Sequence, residues 1–125
     1  MKILDTNMIL RFLLRDNVEM ADKAAKIIDS ETSLITNEVA AEVVYVLTGV
    51  YKVSRSDVSK ALQNFIEIDN IAASELAVLS KALTFFAESN LDFVDCLLCA
   101  YNLQYGYEVC TFDIKLGKFI ERLHL

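Results

Sequence analysis

Proline and tryptophan are absent from this chain of 125 residues, which contains only three glycines and one histidine. Without proline and with so little glycine, the chain has no proline- or glycine-rich linker and no low-complexity segment. It also lacks a run of 18 uncharged apolar residues, so a membrane-spanning helix is not expected. Asp5 and Arg11 interrupt the apolar core that a signal peptide would need. The sequence therefore predicts a single domain over residues 1–125, located in the cytoplasm.

Several catalytic and metal-binding motifs are also missing. Neither a GxxxxGK[ST] nor a GxGxxG loop is present, and no Ser–His–Asp or Cys–His arrangement is apparent. His124, the single histidine, is expected to be a surface or packing residue. Cys96 and Cys99 form one CxxC, but a zinc site would need two more ligands. We expect reduced thiols packed in the core, with metal or redox chemistry as the less favoured alternative for these cysteines.

Basic residues are in deficit, with 12 Lys and Arg against 18 Asp and Glu and a net charge of −6. This balance argues against a non-specific nucleic-acid coat protein, which would carry a basic excess. It does not exclude an enzyme that binds nucleic acid through metal ions and a local basic patch. Acidic residues clustered at a metal site would shift the net charge in the same direction.

Hydrophobic residues make up 54% of the chain, and their spacing alternates between strand and helix periods. The predicted helices are 7–15, 19–29, 38–48 after Asn37 as N-cap, one from Ser54 or Ser56 to about Phe65, 74–88, 92–105 and 113–119. The predicted strands are 2–5, 33–36, 65–71, 107–112 and an edge strand in the last residues, ERLHL. Strands that alternate with helices indicate a parallel sheet with helices on both faces.

Two acidic residues stand directly after predicted strands. Asp5 follows the first strand and Asp113 follows the fourth, and ligands of parallel sheets bind at the carboxyl ends of the strands. Each residue has a simpler explanation, because an aspartate in this position can also cap the helix that follows. Neither aspartate alone indicates a site.

Two further acidic residues lie on helices that would flank the same edge of the sheet. Glu42 sits in an apolar stretch, although it could instead form a solvated stripe with Glu38, one turn earlier. Asp95 precedes a run of residues of the buried type. Asp92, three residues earlier, is explained best as a helix cap, with a supporting role in the site as the alternative.

Together these four acidic residues have a common explanation. Carboxylates held close together repel one another unless a cation neutralises them. Mg²⁺ and Mn²⁺ prefer oxygen ligands of this kind, and such a metal can activate water and stabilise phosphoryl charge. The sequence therefore predicts a site for a hard divalent cation formed by Asp5, Glu42, Asp95 and Asp113.

At this point the chain resembles the PIN-domain family, and in particular the VapC-type toxin ribonucleases of toxin–antitoxin pairs. The ordered set of matching stretches is KILDTN, NEVAAEVVYVL, LDFVDCLLCA and TFDIKL. The resemblance implies a three-layer α/β fold with a central twisted parallel sheet of four to five strands flanked by helices. It also implies a metal-dependent endoribonuclease that hydrolyses RNA to 5′-phosphate and 3′-hydroxyl ends, with Mg²⁺ or Mn²⁺ as cofactor.

The resemblance also assigns roles to residues. The catalytic acidic residues would be Asp5, Glu42, Asp95 and Asp113. Of these, Asp5, Asp95 and Asp113 would ligate the metal, and Glu42 would orient or deprotonate the attacking water. Supporting residues would be Thr6 or Asn7 beside the first acid and Thr111 before the last. We add four basic residues as candidates for RNA binding, although each could simply serve solubility: Arg11, Arg15, Lys115 and Lys118.

For partners, the resemblance implies an RNA substrate, a VapB-type antitoxin and a homodimer. Some relatives carry a further acid shortly after the fourth, where this chain has Gly117 and its neighbours, so that corner of the site depends on Asp113 alone. Two other functions remain open: a non-catalytic PIN-like binding module and, with less support, an aspartate-dependent phosphotransfer domain. The segment DTN, residues 5–7, lacks the DxD pattern of one phosphotransfer fold.

Overall fold

A small parallel sheet lies at the centre of the computed structural model, which describes residues 1–125. Its strands are β1 (Lys2–Ile3), β2 (Ser33–Ile35) and β3 (Ile71–Ala73), in the order β1-β2-β3. Ile3 pairs with Leu34, and Leu34 pairs with Ala72. The carboxyl ends of the strands therefore lie at one edge of the sheet, and each strand is followed by a helix.

Seven helices surround the sheet, and with the parallel strands they confirm the predicted α/β class. They are α1 (Thr6–Leu14), α2 (Val18–Ser30), α3 (Asn37–Gly49), α4 (Arg55–Ile66), α5 (Leu76–Glu88), α6 (Phe93–Tyr105) and α7 (Ile114–Leu123). Among the helices, α1 packs on α2 and α3, α5 packs on α4 and α6, and α6 also contacts α3 and α7. None of them has the length and apolar character needed to cross a membrane.

The hydrophobic core is continuous from the sheet through the helices. Its largest fully buried side chains include Phe65, Ile9 and Ile35, which come from α4, α1 and β2. Phe12 packs edge-on against Phe65, with ring centroids 5.6 Å apart. Because the helices that carry the candidate acidic residues all contribute to this core, packing fixes their positions at the surface.

Side-chain caps mark the start of five of the helices, α1, α2, α3, α4 and α7. Asp5 caps α1 by accepting from the Met8 amide at 2.8 Å, and Asp113 caps α7 by accepting from the Leu116 amide at 3.0 Å. Ser54, one of the two predicted candidates, caps α4. The predicted cap of α3, Asn37, is wrong, because Thr36 accepts from the Val39 amide instead.

The sheet has three strands, whereas the sequence predicts four to five. Residues 107–112 form no strand, and β1 is an edge strand that pairs only with β2. Tyr107 and Phe112 are exposed in this segment, and Val109 alone packs against the core. Alternating apolar residues suggest a strand, but without a hydrogen-bonding partner they remain an irregular connection.

Two other predicted strands belong largely to helices. Phe65 and Ile66 lie in the last turn of α4 and are buried, because they continue the apolar face that begins with Val58 and Leu62. The strand β3 starts only at Ile71. The final residues continue α7 to Leu123 rather than form an edge strand.

Candidate functional site

Asp5 stands at the carboxyl end of β1, as predicted, and is exposed. One carboxylate oxygen accepts the Met8 amide, so capping of α1 is a real function of this residue. Asp5 and Asn7 also line a cavity of about 270 Å³ between α1 and α2, together with Arg11 and Lys23. Capping involves only Oδ1, which leaves Oδ2 free for a ligand.

Glu42 is exposed on α3, and its partner is Thr6. The Thr6 hydroxyl donates to Glu42 Oε2 at 2.7 Å, which joins the start of α1 to the second turn of α3. Thr6 is predicted to support Asp5, but in the structure it holds Glu42. Glu38 is exposed as well, so the pair also fits the solvated stripe that the spacing allows.

Asp95 lies in the first turn of α6 and has acidic neighbours. Burial raises the pKa of its carboxyl above the usual 3.8, and the charges of Asp92 and Asp113 raise it further, while Lys115 acts in the opposite direction. Asp92, Asp95 and Asp113 are called the acidic patch below. In this patch the structure brings together two of the four predicted acidic residues, Asp95 and Asp113.

The remainder of the acidic patch is held by short-range contacts. The Asp113 amide donates to Thr111 Oγ1 at 3.0 Å, so the predicted supporting residue contacts the backbone of the aspartate. Lys115 donates to the Asn90 carbonyl at 3.0 Å, which ties the start of α7 to the loop before α6. Asp92 occupies the N-cap position of α6, but its side chain makes no capping hydrogen bond.

The acidic residues suit a hard divalent cation in chemistry but not in spacing. Carboxylate oxygens are the ligands that Mg²⁺ and Mn²⁺ prefer. However, no three Asp, Glu, His or Cys side chains lie close enough together to hold a metal ion. Glu42 on α3 accepts from Thr6, the neighbour of Asp5, whereas Asp95 on α6 has Asp92 and Asp113 as its charged acidic neighbours. Helices α3 and α6 contact each other.

The predicted basic residues differ in their availability. Arg11 is paired with Asp16 at 3.0 Å and Arg15 with Asp22 at 2.9 Å, so neighbouring carboxylates already neutralise both guanidinium groups. Lys115 and Lys118 are exposed and form no ion pair. Of the four candidates, the two lysines on α7 are the more available to phosphate.

The cysteines of the CxxC are buried in α6, and the third cysteine, Cys110, is exposed. Burial raises the pKa of Cys96 to about 11 and that of Cys99 to about 12, so both remain thiols near neutral pH. His124 lies 2.7 Å from Asn102 Oδ1, a contact between the end of α7 and a buried residue of α6. These environments fit the packing roles expected for the thiols and the histidine.

Arg55 and Asn37 contribute contacts that sequence reasoning missed. Arg55 donates through Nε to the Phe86 carbonyl at 2.8 Å and also to the Leu91 carbonyl, which fixes the connection that leads to Asp92. Asn37 is buried and donates to the Tyr101 hydroxyl at 3.0 Å. An arginine at a helix start is common on surfaces, and Asn37 indicated only a helix cap, so the sequence predicted neither of these contacts.

Comparison with known proteins identifies a family. The model of the PIN domain matches residues 2–120, a range that contains all four predicted acidic residues. No curated protein and no solved structure gives a significant match. Because the family match spans nearly the whole chain, this protein belongs to the PIN-domain family.

Proposed function

We propose that this chain is a metal-dependent endoribonuclease and the toxin of a toxin–antitoxin pair. PIN domains are generally nucleases that use divalent metal ions and bind RNA, which supports the broad activity. The observation that carries the proposal is the acidic patch, where Asp95 is partly buried beside two like charges. Neighbouring carboxylates repel one another, and a bound divalent cation would relieve that repulsion.

The proposal assigns Asp5, Asp95 and Asp113 to Mg²⁺ or Mn²⁺ and Glu42 to the attacking water. The contacts of these residues bear on the assignment. Thr6 donates a hydrogen bond to Glu42, and the caps made by Asp5 and Asp113 each leave one carboxylate oxygen uncommitted. The folded chain does not bring three of these ligands together around one position.

Cleavage assays test the activity directly. We expect the protein to cut single-stranded RNA with Mg²⁺ or Mn²⁺ and to stop in EDTA, leaving 5′-phosphate ends. Asp5→Asn keeps a side chain able to cap α1 but loses the charge, so its activity should fall by at least about 100-fold. Asp69→Asn is the matched control, because Asp69 is exposed in the loop before β3. Full cleavage in EDTA, or by the Asp5 variant, would refute the proposal.

A non-catalytic PIN-like binding module is the second candidate. The observation that favours it is the absence of a three-carboxylate group. Calorimetric titration with Mn²⁺ separates the two functions: heat of binding that Asp95→Asn abolishes supports the nuclease, and no binding supports the module. The same titration should be unchanged by Asp69→Asn.

The proposed partners are an antitoxin of the VapB type and a second copy of this chain. The proposed location of the protein is the cytoplasm. Co-expression with a small adjacent reading frame tests the first partner. The antitoxin should co-purify with the protein and suppress RNA cleavage. Sedimentation equilibrium tests the second, and a dimer at micromolar concentration is expected.

A further inference from the structure

A cavity of about 500 Å³ lies between α3 and the first turn of α6, and Asp95 is part of its wall. Six of its ten lining residues are hydrophobic, and its polar groups include Thr48, Arg55 and Asp92. Cavities of this size with a mostly apolar lining and few polar groups are typical of small-molecule sites. We call it the α3–α6 cavity. Because Asp95 belongs to both, a ligand in this cavity would lie beside the acidic patch.

Tyr45 supplies an aromatic face to the α3–α6 cavity. It lies almost one turn after Glu42 on α3, and 76% of it is exposed. The four other tyrosines are less exposed. Tyr105 stacks on Tyr101 and contacts Tyr107 at a tilt, whereas Tyr45 has no aromatic partner. An exposed ring beside an open cavity is a platform on which a planar base can stack.

Arg55 gives the opposite wall a fixed structure. Its guanidinium donates to the carbonyls of Phe86 and Leu91 and lies 3.7 Å from the centre of the Phe86 ring. These contacts hold the connection between α5 and α6 in place. They also put a positive charge in a cavity that contains two carboxylates, which reduces their repulsion.

Asp92 is the uncommitted polar group of the α3–α6 cavity. It stands at the N-cap of α6, yet its side chain makes no capping hydrogen bond, and no ion pair involves it. Its carboxylate therefore has free acceptors, and it has no donor of its own. A ligand that fits this group carries N–H donors at its edge, as the amino-bearing bases do.

We propose that the α3–α6 cavity binds one unpaired, amino-bearing base of a single-stranded RNA, stacked on Tyr45 and donating to Asp92. This inference rests on the proposed nuclease function and deepens it, because Asp95, one of the proposed metal ligands, lines the same cavity. Comparing the binding of cytosine and uracil tests the predicted contact with Asp92. They differ in the group at C4, where cytosine has an amino donor and uracil has an oxygen that the carboxylate repels.

The binding test uses nucleotides without metal, so that it does not depend on cleavage. Amide chemical shifts of the ¹⁵N-labelled protein are followed in EDTA during titration with cytidine 5′-monophosphate, uridine 5′-monophosphate and ribose 5-phosphate. We expect cytidine monophosphate to shift residues 41–48 and 92–95, with the uridine nucleotide at least about five-fold weaker. Ribose 5-phosphate, which lacks a base, should leave these residues unchanged.

Variants identify the two contacts. Tyr45→Ala should weaken binding of cytidine monophosphate roughly ten-fold or more, and Tyr45→Phe should retain it. Tyr51→Ala is the matched control, because Tyr51 is exposed near the end of α3 but does not line the cavity. Asp92→Asn should make the affinities for cytidine and uridine monophosphate equal. Asp69→Asn should preserve the difference between these two affinities.

The outcomes separate this inference from the proposed function. If cytidine monophosphate shifts the cavity residues but RNA is never cut, the base site stands and the nuclease fails. If RNA is cut but neither nucleotide shifts Tyr45, the base site is wrong and the nuclease stands. Equal shifts from ribose 5-phosphate would also overturn the base site. Shifts at Tyr45 that depend only on protein concentration would overturn it too, and would indicate contact between copies of the chain.

Discussion

Asp95 carries a charge that its surroundings disfavour. Because burial and two neighbouring carboxylates raise its pKa, the folded protein holds this proton more tightly than the unfolded chain does. The contribution of Asp95 to the free energy of unfolding is therefore fully present below about pH 3.8, the ordinary pKa of this group, and is lost as the pH rises through the raised pKa of the folded state. We expect Asp95→Asn to raise the melting temperature at neutral pH in EDTA, and the increase to vanish near pH 3.

Thermal unfolding followed by circular dichroism checks this expectation at both pH values. Asp69→Asn, on an exposed loop, should change the melting temperature little at either pH. A lower melting temperature for Asp95→Asn at neutral pH would mean that a favourable partner, rather than repulsion, dominates the environment of this carboxylate.

The three cysteines should differ sharply in reactivity. Cys96 and Cys99 are buried, with pKa values of about 11 and 12, whereas Cys110 is exposed. Since the thiolate is the reactive form, we expect Ellman's reagent to modify one thiol in the native protein and all three in denaturant. In Cys110→Ser the native reaction should disappear. Rapid reaction of that variant would show that α6 opens readily.

At the level of elements, hydrophobic periodicity predicted the helices, and capping side chains determine the residue at which several of them begin. Each predicted helix is present, because its apolar face packs on the core. Sequence alone could not distinguish Thr36 from Asn37 as the cap of α3, since both residue types cap helices. It also could not show that residues 107–112 lack a strand partner, because pairing depends on which strand edge lies within reach.

Capping and site chemistry can be separated at the starts of α1 and α7. Asp5→Ala and Asp113→Ala remove the oxygen that accepts the Met8 or Leu116 amide, and each should lower the free energy of unfolding by about 1 kcal/mol. The corresponding Asn variants retain an acceptor and should remain close to the wild type. Urea unfolding measures both pairs.

Cleavage assays on the same four variants complete the comparison. If the acidic residues serve only as caps, activity should follow stability, and the Asn variants should remain active. If they serve the site, Asn and Ala variants should be equally inactive despite their different stabilities. The second pattern is the one we expect.

For the whole molecule, local patterns in the sequence predict which elements carry the acidic residues, but not how these residues are arranged relative to one another. Asp5 stands after β1 and caps α1 as expected, whereas Asp113 caps α7 but follows an irregular segment instead of the predicted strand. Asp95 has Asp113 as an acidic neighbour. The pairing of Thr6 with Glu42 was not foreseeable, because it joins residues 36 positions apart. The relative placement of the acidic residues on different helices depends on tertiary packing, which a single sequence does not encode in any local pattern.

The charge distribution of the whole molecule predicts a weak dependence of RNA binding on monovalent salt. The net charge is −6, and ion pairs occupy Arg11 and Arg15, which leaves Lys115 and Lys118 among the candidates. Each phosphate contact to a single strand contributes a slope of about −0.7 to a plot of log affinity against log salt, so two lysines give about −1.4. Fluorescence anisotropy of a labelled RNA bound to cleavage-blocked Asp5→Asn measures this slope at a fixed Mg²⁺ concentration.

Lysine variants of the Asp5→Asn protein test which side chains make the contacts. Replacing Lys115 and Lys118 by alanine should bring the slope close to zero, whereas Lys60→Ala, an exposed lysine on α4, should leave it unchanged. A slope near −2.8, the value for about four contacts, would contradict the assignment. It would mean that Arg11 and Arg15 leave Asp16 and Asp22 to bind phosphate, and that the ion pairs between α1 and its neighbours open when RNA arrives.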